Sequence, residues 1–224
     1  MRRTWDGLAA ESEVYVGDPA RGEQELESLF GRLGADPRGG VCVEVGCGSG
    51  RMTPLLAGRF DRVVALDVSP SMIDQARAAV GSARNVEFLA VSGERLDGVA
   101  DGSADALLCY LVLQHLPRRS LVLRYLAEFA RVLAPAGEAY VQIPVLDAGP
   151  RSRLWRALRG ALVPLLWRAR RLPRHDPALR GVRLTQAELD AGLARAGLRV
   201  AARDVGPDAP YRYSTDVFLR LARG

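Results

Sequence analysis

Hydrophobic and polar positions change their period several times between residues 41 and 222. Short apolar runs, typical of buried strands, alternate with stretches whose apolar residues recur every three or four positions, typical of amphipathic helices. The apolar runs predict strands at 41–45, 62–66, 86–91, 104–110, 138–143, 198–203 and 215–222. The stretches between them predict helices at 51–59, 69–79, 120–133 and 185–196. This alternation predicts an α/β fold with a doubly wound, mostly parallel sheet and helices on both of its faces.

Residues that start and stop helices support these boundaries. Ser69 stands directly before Pro70, a pairing that favours a helix start. Thr185 is followed three positions later by Glu188, which is the spacing of a capping box, and Gly197 follows the last apolar position of that helix. The sequence therefore fixes two helix starts and one helix end from capping chemistry alone.

The net charge of the chain is +5, and it is unevenly distributed. The segment 150–183 contains ten arginines and one acidic residue, Asp176, so its charge is +9 and the rest of the chain sums to −4. This segment interrupts the alternation of strands and helices. We predict that it is an insertion.

Cysteine and apolar content exclude several classes of protein. The chain has three cysteines, none in a CxxC pair, and two histidines, which argues against a structural zinc site. So few cysteines in apolar surroundings favour a reducing, cytoplasmic location. No apolar run approaches the ~20 residues of a membrane span, and the N-terminus lacks the apolar core of a signal peptide.

The stretch VCVEVGCGSG, residues 41–50, places three glycines directly after the first predicted strand. Glycine lets the backbone turn sharply and lets a ligand approach it closely. In a doubly wound sheet this turn binds nucleotides, and an acidic residue at the end of the second strand holds the ribose hydroxyls. Asp67, 21 residues after Gly46, occupies that second position.

The glycines form the pattern ExGxGxG, from Glu44 to Gly50, which resembles motif I of the class I S-adenosylmethionine (SAM) dependent methyltransferases. Further segments resemble later motifs of that family in the right order, and in style they are closest to its type-11 small-molecule group. These segments are ALDVSPSMID (65–74), NVEFLAVSGERL (85–96), DGSADALLCYLVLQHLP (101–117), RVLAPAGEAYVQI (131–143) and LTQAELDAGLARAGLRV (184–200).

The resemblance implies a seven-stranded sheet with an antiparallel last strand, an N-terminal helical lid at 1–38 and a SAM-binding domain at 39–224. The segment 150–183 would be a helical insertion before the last helix–strand unit, facing the acceptor. The cofactor would be SAM and the product S-adenosylhomocysteine.

The resemblance also implies a set of cofactor-binding residues. Gly46, Gly48 and Gly50 would line the methionine and ribose part, and Asp67 would hold the ribose. Val68 and Met72 would flank the adenine, and Tyr110 and Gln114 would border the reacting methyl. The full set is Glu44, Gly46, Gly48, Gly50, Asp67, Val68, Met72, Ser92, Gly93, Glu94, Tyr110, Gln114 and, as an aromatic cover from the lid, Tyr15.

One position departs from the family pattern. The family often has an acid where this chain has Ser92, and that acid accepts a hydrogen bond from the adenine amine. A serine hydroxyl also accepts, but without charge, unless Glu94 takes over the role. Ser92 in simple turn chemistry is the alternative.

Candidate catalytic residues are the two histidines. His115 follows the fourth strand, and imidazole titrates near neutral pH, so it can serve as a general base. Packing beneath the cofactor is the alternative. His175 lies in the insertion, where it would accept a proton from an acceptor hydroxyl if it faced the pocket. Methyl transfer from SAM needs no enzyme nucleophile, so we expect Cys109 to be a core residue.

The insertion supports three interpretations. Its apolar face, which includes Leu158, could pack on the domain as a lid with the arginines in water. A basic amphipathic helix could instead contact an anionic membrane or a lipid tail. The arginines could also bind an anionic acceptor, because guanidinium matches phosphate bidentately. No recognised nucleic-acid module is present.

The predicted activity is transfer of a methyl group from SAM to an oxygen atom of a small molecule, either a specialised metabolite or a glycan. The alternative acceptor is a lipid or polyprenyl compound at the membrane. Two other classes stay open. A nicotinamide dehydrogenase would need a third fingerprint glycine where the chain has Arg51. A cofactor-binding partner subunit without catalysis would fit the departure at Ser92.

Overall fold

The computed structural model describes residues 5–7, 19–146, 158, 181–206 and 214–224. Its strands are β1 (Val41–Val45), β2 (Arg62–Asp67), β3 (Val86–Ala90), β4 (Ala104–Cys109), β5 (Leu133–Leu146), β6 (Leu198–Val205) and β7 (Ser214–Arg223). Its helices are α1 (Pro19–Arg32), α2 (Thr53–Ala57), α3 (Pro70–Val80), α4 (Arg119–Val132) and α5 (Gln186–Ala196), with a 3₁₀ turn at Leu113–His115. Tyr15, His175 and nearly all of the 150–183 insertion fall outside the described residues.

The seven strands form one sheet in the order β3-β2-β1-β4-β5-β7-β6. Strands β1 to β5 pair in parallel, and β7 pairs antiparallel with both β5 and β6. The predicted seven-stranded sheet with an antiparallel last strand is confirmed. The strand order reverses between β1 and β4, and in open α/β sheets this reversal opens a crevice at the carboxyl ends of the strands.

Both faces of the sheet are covered, which explains why its strands are continuously apolar. On β1, Val43 and Val45 join a core with α4 and α5, whereas Cys42 joins a second core with α1, α2 and α3. The apolar face of α1 packs into this second core through Leu26, Leu29, Phe30 and Leu33. The helices thereby hold the strand ends, and the turns that follow them, in fixed positions.

The predicted helix caps are present. The Ser69 hydroxyl accepts a hydrogen bond from the backbone N–H of Met72 at 3.2 Å. Thr185 and Glu188 form a reciprocal capping box at the start of α5, and Gly197 ends that helix with a φ of +69°. The largest difference from the predicted boundaries is in β5, which begins at Leu133, immediately after α4, instead of at residue 138. Pro135 and Gly137, residue types that usually interrupt regular structure, lie inside this strand.

No helix of the described residues is long and apolar enough to cross a membrane. No cluster of metal-ligating side chains occurs within the same residues.

A charged network joins α4 to the loop between β3 and β4. The Glu128 carboxylate accepts hydrogen bonds from the Leu96 backbone N–H at 3.0 Å and from the Arg131 guanidinium at 2.7 Å. Arg131 also donates to the backbone carbonyl of Val99 at 2.8 Å and to the Asp101 carboxylate at 2.6 Å. The hydrogen bond from Arg131 lowers the pKa of Glu128. The ionised pair therefore fixes a loop that has little regular structure of its own.

We expect Glu128→Gln to lower the free energy of unfolding at pH 7 by about 1–3 kcal/mol, because it removes charge-assisted hydrogen bonds from a buried site. Since the folded pKa of Glu128 is lowered, its contribution is present above its unfolded pKa and disappears as the pH falls through the folded pKa. Urea unfolding at pH 7 and near pH 3 measures the difference in the free energy of unfolding between the variant and wild type, and this difference should be smaller in acid. Glu87→Gln, which breaks an exposed pair with Arg62, is the control and should cost under about 1 kcal/mol. A gap independent of pH would contradict this account.

Candidate active site

A cavity opens at the carboxyl ends of β1, β2 and β4, where the strand order reverses. It encloses about 1090 Å³ of space not filled by protein atoms, part of which is open to solvent. Residues of three kinds line it: the glycine turn after β1, the end of β2 with the start of α3, and the segment after β4. The polar and aromatic lining residues are Trp5, Glu44, Arg51, Asp67, Tyr110, Gln114, His115 and Tyr125.

The glycine turn is shaped by close packing within the chain. Gly46 has a φ of +74°, and a Cβ placed there would overlap the Val112 side chain across the cavity. A Cβ on Gly50 would lie 2.8 Å from the Cα of Ala76 on α3, so this glycine allows the turn to seat against the helix. Gly48 lines the cavity. All three glycines have a positive φ, and the packing of Gly46 and Gly50 holds the backbone of Gly48 beside the cavity.

Asp67 links the glycine turn to the start of α3. One carboxylate oxygen accepts the Gly48 N–H at 2.9 Å, and the other accepts the Ser69 N–H at 2.9 Å. Burial raises the pKa of Asp67, and these backbone hydrogen bonds act against the rise. Each carboxylate oxygen has a further lone pair, and the residue lines the cavity. The arrangement can accept two adjacent hydroxyl groups.

Glu44 reaches the cavity from inside the sheet. Its carboxylate accepts the hydroxyl of Thr53 at 2.7 Å, and both side chains are buried. Burial raises the pKa of Glu44 to about 7, with the Thr53 hydrogen bond opposing the rise and the charge of Asp67 adding to it. Near neutral pH this carboxyl exists in both protonation states, so its charge can respond to a ligand.

The opposite wall follows β4. Leu111 has a φ of +59° and is the one non-glycine residue with a positive φ in the part of the chain that the structure describes. The Gln142 side-chain carbonyl accepts its N–H at 3.2 Å, and the Gln142 amide donates to Asp216 at 2.6 Å. This unusual backbone turns the neighbouring Tyr110 and Val112 toward the cavity, where both are lining residues.

His115 lies at the end of that wall. Its Nε2 is 3.1 Å from the side-chain nitrogen of Gln114. An amide nitrogen only donates, so with this assignment Nε2 accepts and the proton of a neutral imidazole is on Nδ1. The Trp5 ring meets the His115 ring edge-on, with centroids 5.1 Å apart. Next to Trp5, Asp6 accepts the Ser69 hydroxyl at 2.6 Å, so the N-terminal turn contacts both walls of the cavity.

The structure brings most of the predicted site residues together. Those that line the cavity are Glu44, Gly46, Gly48, Asp67, Val68, Met72, Tyr110, Gln114 and His115. Gly50 lies behind them, against α3. Their roles toward a cofactor stay predictions, as do those of Tyr15 and His175, which lie outside the described residues.

Ser92, Gly93 and Glu94 are not among the lining residues. The Ser92 hydroxyl donates to the Asp97 carboxylate at 2.6 Å and accepts the Glu94 N–H at 3.2 Å, which is the turn chemistry considered as its alternative. The Glu94 carboxylate pairs with Arg124 at 2.8 Å. The role of Ser92, Gly93 and Glu94 beside the adenine stays a prediction. The Asp97 carboxylate lies next to Ser92 and adds a negative charge there.

Several lining residues were not predicted as ligands: Arg51, Val91, Leu111 and Tyr125. Arg51 was interpreted only as a missing glycine, although its place directly after the glycine turn was a usable signal. Tyr125 belongs to the apolar face of α4. The helical spacing of the apolar residues predicts that this face is buried, but it does not predict that the face reaches the cavity.

The cavity fits SAM in its chemistry. The Asp67 carboxylate matches a ribose diol, and apolar surface from Val68, Met72 and Val91 lies in the same cavity, as an adenine ring requires. At Gly46 the turn packs directly against Val112 of the opposite wall, where a Cβ would overlap a Val112 methyl group, so the two walls meet there.

Comparisons with known proteins agree with this geometry. Residues 43–141 match the family described as Methyltransferase domain. A ubiquinone biosynthesis O-methyltransferase of Xanthomonas axonopodis pv. citri (strain 306) is 29% identical over 199 residues, which cover 88% of this chain and 76% of the relative. A trans-aconitate 2-methyltransferase of Methylobacterium radiotolerans is 33% identical over 120 residues, 53% of this chain and 43% of the relative.

Solved structures share the fold. A methyltransferase in complex with the Haloferax volcanii Trm112 methyltransferase activator has a TM-score of 0.68 at 21% identity and covers 98% of both chains. The DhpI complex with S-adenosylhomocysteine (SAH) has a TM-score of 0.63 at 21% identity, covering 100% of this chain and 95% of the other.

The matched segment 43–141 begins within β1 and ends within β5. It includes the glycine turn, the Asp67 carboxylate and the wall after β4, so the family match and the cavity coincide in the same residues. The chain is a class I S-adenosylmethionine-dependent methyltransferase.

Proposed function

We propose that this methyltransferase transfers the methyl group of SAM to an oxygen atom of a small-molecule acceptor. The observation that carries the choice of oxygen is the 29% identity, over 88% of the chain, to a protein named as an O-methyltransferase. When bound, SAM supplies an activated methyl on its sulfonium. The protein's own contribution is to orient the partners, to exclude water and, for a hydroxyl acceptor, to provide a group that takes the proton.

The lining of the cavity supports the following assignment of cofactor contacts. Asp67 accepts the two ribose hydroxyls with the lone pairs that Gly48 and Ser69 leave available. Val68 and Met72 pack on the adenine. Glu44 faces the same cavity from beneath the glycine turn, where its carboxylate would favour a cationic ligand.

The acceptor enters on the side of Gln114 and His115. Leu146, where β5 ends, donates its N–H to the Leu184 carbonyl at 2.8 Å, and Val182 donates its N–H to the Leu116 carbonyl at 2.9 Å. The Arg183 guanidinium donates to the Gln114 carbonyl at 2.9 Å. The described residues Val182 and Arg183, the last two of the arginine-rich segment, therefore lie beside the cavity wall. The arginine content of that segment supports an acceptor with anionic character.

The acceptor of choice is a specialised metabolite or glycan bearing a hydroxyl or carboxyl group. The second candidate is a polyprenyl or other lipid acceptor at a membrane surface. The relatives named for ubiquinone biosynthesis favour this second candidate, and the relative named for trans-aconitate favours a small anionic one.

We expect Asp67→Asn to weaken SAH binding by about 10- to 100-fold, because it replaces charge-assisted hydrogen bonds to the ribose with neutral ones. Isothermal titration calorimetry measures the affinity. Asp61→Asn is the matched control, since Asp61 also accepts a backbone N–H, from Gly40 at 2.7 Å, and lies just before β2, away from the cavity. Equal affinities in the Asp67 variant and wild type would place the ribose elsewhere.

We expect the stability of wild type to fall relative to Glu44→Gln as the pH rises. The folded pKa of Glu44, about 7, lies above its unfolded value. Its stabilising contribution is therefore complete below about pH 4.5 and is lost as the pH rises through 7. Between pH 4.5 and pH 8, the free energy of unfolding of wild type should fall by up to roughly 3 kcal/mol relative to that of the variant. Urea unfolding over this range measures the difference, and parallel curves would show that Glu44 is ionised throughout.

Incubation with methyl-labelled SAM and an extract of the source cells tests the acceptor. We expect label in the small polar fraction, because the proposed acceptor is a hydroxyl- or carboxyl-bearing metabolite. Label in the organic phase would support the lipid candidate instead, and label confined to macromolecules would contradict both. Asp67→Asn protein in the same extract gives the background of the extract's own methyltransferases.

A further inference from the structure

We propose that Gln142 and Asp216 are positioning residues for methyl transfer. Neither is among the residues that line the cavity. Together they fix the backbone of the wall after β4, residues 110–116, on the side where the proposed function places the acceptor. The inference rests on the proposed function, because it assigns a role in the same reaction to two side chains outside the cavity.

The wall after β4 depends on one strained residue, Leu111. Strand β4 ends at Cys109 and the 3₁₀ turn begins at Leu113, so the chain changes direction within three residues. The φ of Leu111 is +59°, a left-handed conformation in which the Cβ of an L-residue crowds the following carbonyl oxygen. Such a conformation persists only where the surroundings determine it. The course of the wall is therefore set by the groups that hold Leu111 in place.

Leu111 controls the positions of the residues on both sides of it. Tyr110 and Val112 line the cavity directly. The Val112 carbonyl accepts the N–H of His115 at 2.9 Å, so the 3₁₀ turn that carries Gln114 and His115 follows the position of Val112. A change in the Leu111 backbone would therefore displace the acceptor side of the cavity.

The ribose side of the cavity is held by separate contacts. The Asp67 carboxylate accepts the N–H groups of Gly48 and Ser69, both at 2.9 Å. Neither contact involves β5 or β7. A disturbance of Leu111 should therefore affect the position of the acceptor more than the binding of the cofactor.

Gln142 holds Leu111 from within the sheet. It lies on β5 and is fully buried, and its side-chain carbonyl accepts the Leu111 N–H at 3.2 Å. Its carboxamide nitrogen donates to the Asp216 carboxylate on β7 at 2.6 Å. Loss of this carboxamide would leave two polar groups unpaired in the protein interior, which is costly. The positive φ would then lose the hydrogen bond that supports it.

Asp216 decides which end of the carboxamide faces Leu111. A backbone N–H only donates and an ionised carboxylate only accepts, so one of the two orientations of the Gln142 carboxamide satisfies both groups. The opposite orientation would bring the NH₂ group against the Leu111 N–H. Asp216 is itself held by the sheet, because its carbonyl accepts the Gly206 N–H at 2.9 Å and it stands in register with Pro144 of β5. The carboxylate thus selects the orientation that supports the strained backbone.

The first test replaces Gln142 with methionine, which has a similar length but makes neither hydrogen bond. Methyl transfer is followed with methyl-labelled SAM at several concentrations, and a heat-treated, protein-free extract of the source cells supplies the acceptor. We expect the limiting rate of Gln142→Met to fall by about 10- to 100-fold, since misplacing the reacting groups by roughly 1 Å costs up to about 100-fold. The apparent KM for SAM, and the affinity for SAH measured by calorimetry, should change by less than about threefold, as for independent sites.

The second test asks whether Asp216 acts as a hydrogen-bond acceptor. Asp216→Asn keeps a carbonyl oxygen that can accept the Gln142 amide, so its limiting rate should stay within about threefold of wild type. Asp216→Leu has a similar shape without an acceptor and should lose about tenfold or more. Equal rates in these two variants would overturn the role of Asp216.

A rescue experiment distinguishes positioning from packing. Glycine adopts a positive φ without steric cost, whereas alanine retains the Cβ that opposes it. In the Gln142→Met background, Leu111→Gly should therefore be faster than Leu111→Ala by about tenfold, the scale of the cost of a left-handed residue. The two variants should differ less when Gln142 is present, because the carboxamide already holds the backbone.

Tyr140→Phe is the matched control. Tyr140 also lies on β5 and is buried, and its hydroxyl donates to Glu138 at 2.8 Å. It is not a lining residue of the cavity. This variant loses a side-chain hydrogen bond of the same strand and should leave both the limiting rate and the KM for SAM unchanged.

A limiting rate and a SAM affinity that fall equally in Gln142→Met would overturn the proposal and make Gln142 a residue of the core alone. So would Leu111→Gly that is no faster than Leu111→Ala in that background, or Gln142→Met that transfers label as fast as wild type. If Gln142→Met does not fold, by circular dichroism, the comparison of Asp216→Asn with Asp216→Leu decides. Each of these results leaves the proposed function intact. Wild type that transfers no label would instead refute the proposed function, and this proposal with it.

Discussion

The carboxylate of Asp67 is the interaction on which the site depends. It ends β2, yet its two oxygens hold the backbone of the turn after β1 and the first residue before α3. Two turns that are distant in sequence thereby become one surface. The charge is kept in a buried place by backbone N–H groups, which stabilise a carboxylate without requiring a neighbouring cation. The same N–H groups leave lone pairs for the proposed contact with a ribose diol.

The opposite wall is held in a comparable way by the carboxamide of one buried side chain, which accepts one hydrogen bond and donates another. Gln142 lies on β5, is fully buried, and satisfies both the strained Leu111 backbone and Asp216 on β7. Positive φ at a leucine persists only where the surroundings determine it. The antiparallel strand β7 therefore contributes to the cavity at a distance, because it supplies the carboxylate that orients Gln142.

The sequence predicts the sheet well because period, caps and glycine spacing are local signals. Ser69, Thr185 and Gly197 carry their capping chemistry in neighbouring residues, and they are found as expected. Strand β5 was predicted too short, since its first residues pair with Ala104 across the sheet and no local pattern encodes that pairing. Likewise, neither the contact of Trp5 with His115 nor the Ser92–Asp97 hydrogen bond can be inferred from spacing. Contacts between side chains that are distant in sequence are the part of the site that local sequence patterns do not predict.

Arg51 shows how one position separates two kinds of cofactor site on similar sheets. In the dinucleotide fingerprint, the third glycine permits close packing of the helix on the strand. Here that position carries a long side chain, and the helix after the turn is only five residues long, Thr53–Ala57. The space is filled from outside by α1, which meets the Arg51 backbone at Gly22 and its guanidinium at Glu25. An N-terminal helix therefore covers the position where the dinucleotide fingerprint needs a glycine, and the long side chain at that position becomes an ion-pair partner of this helix.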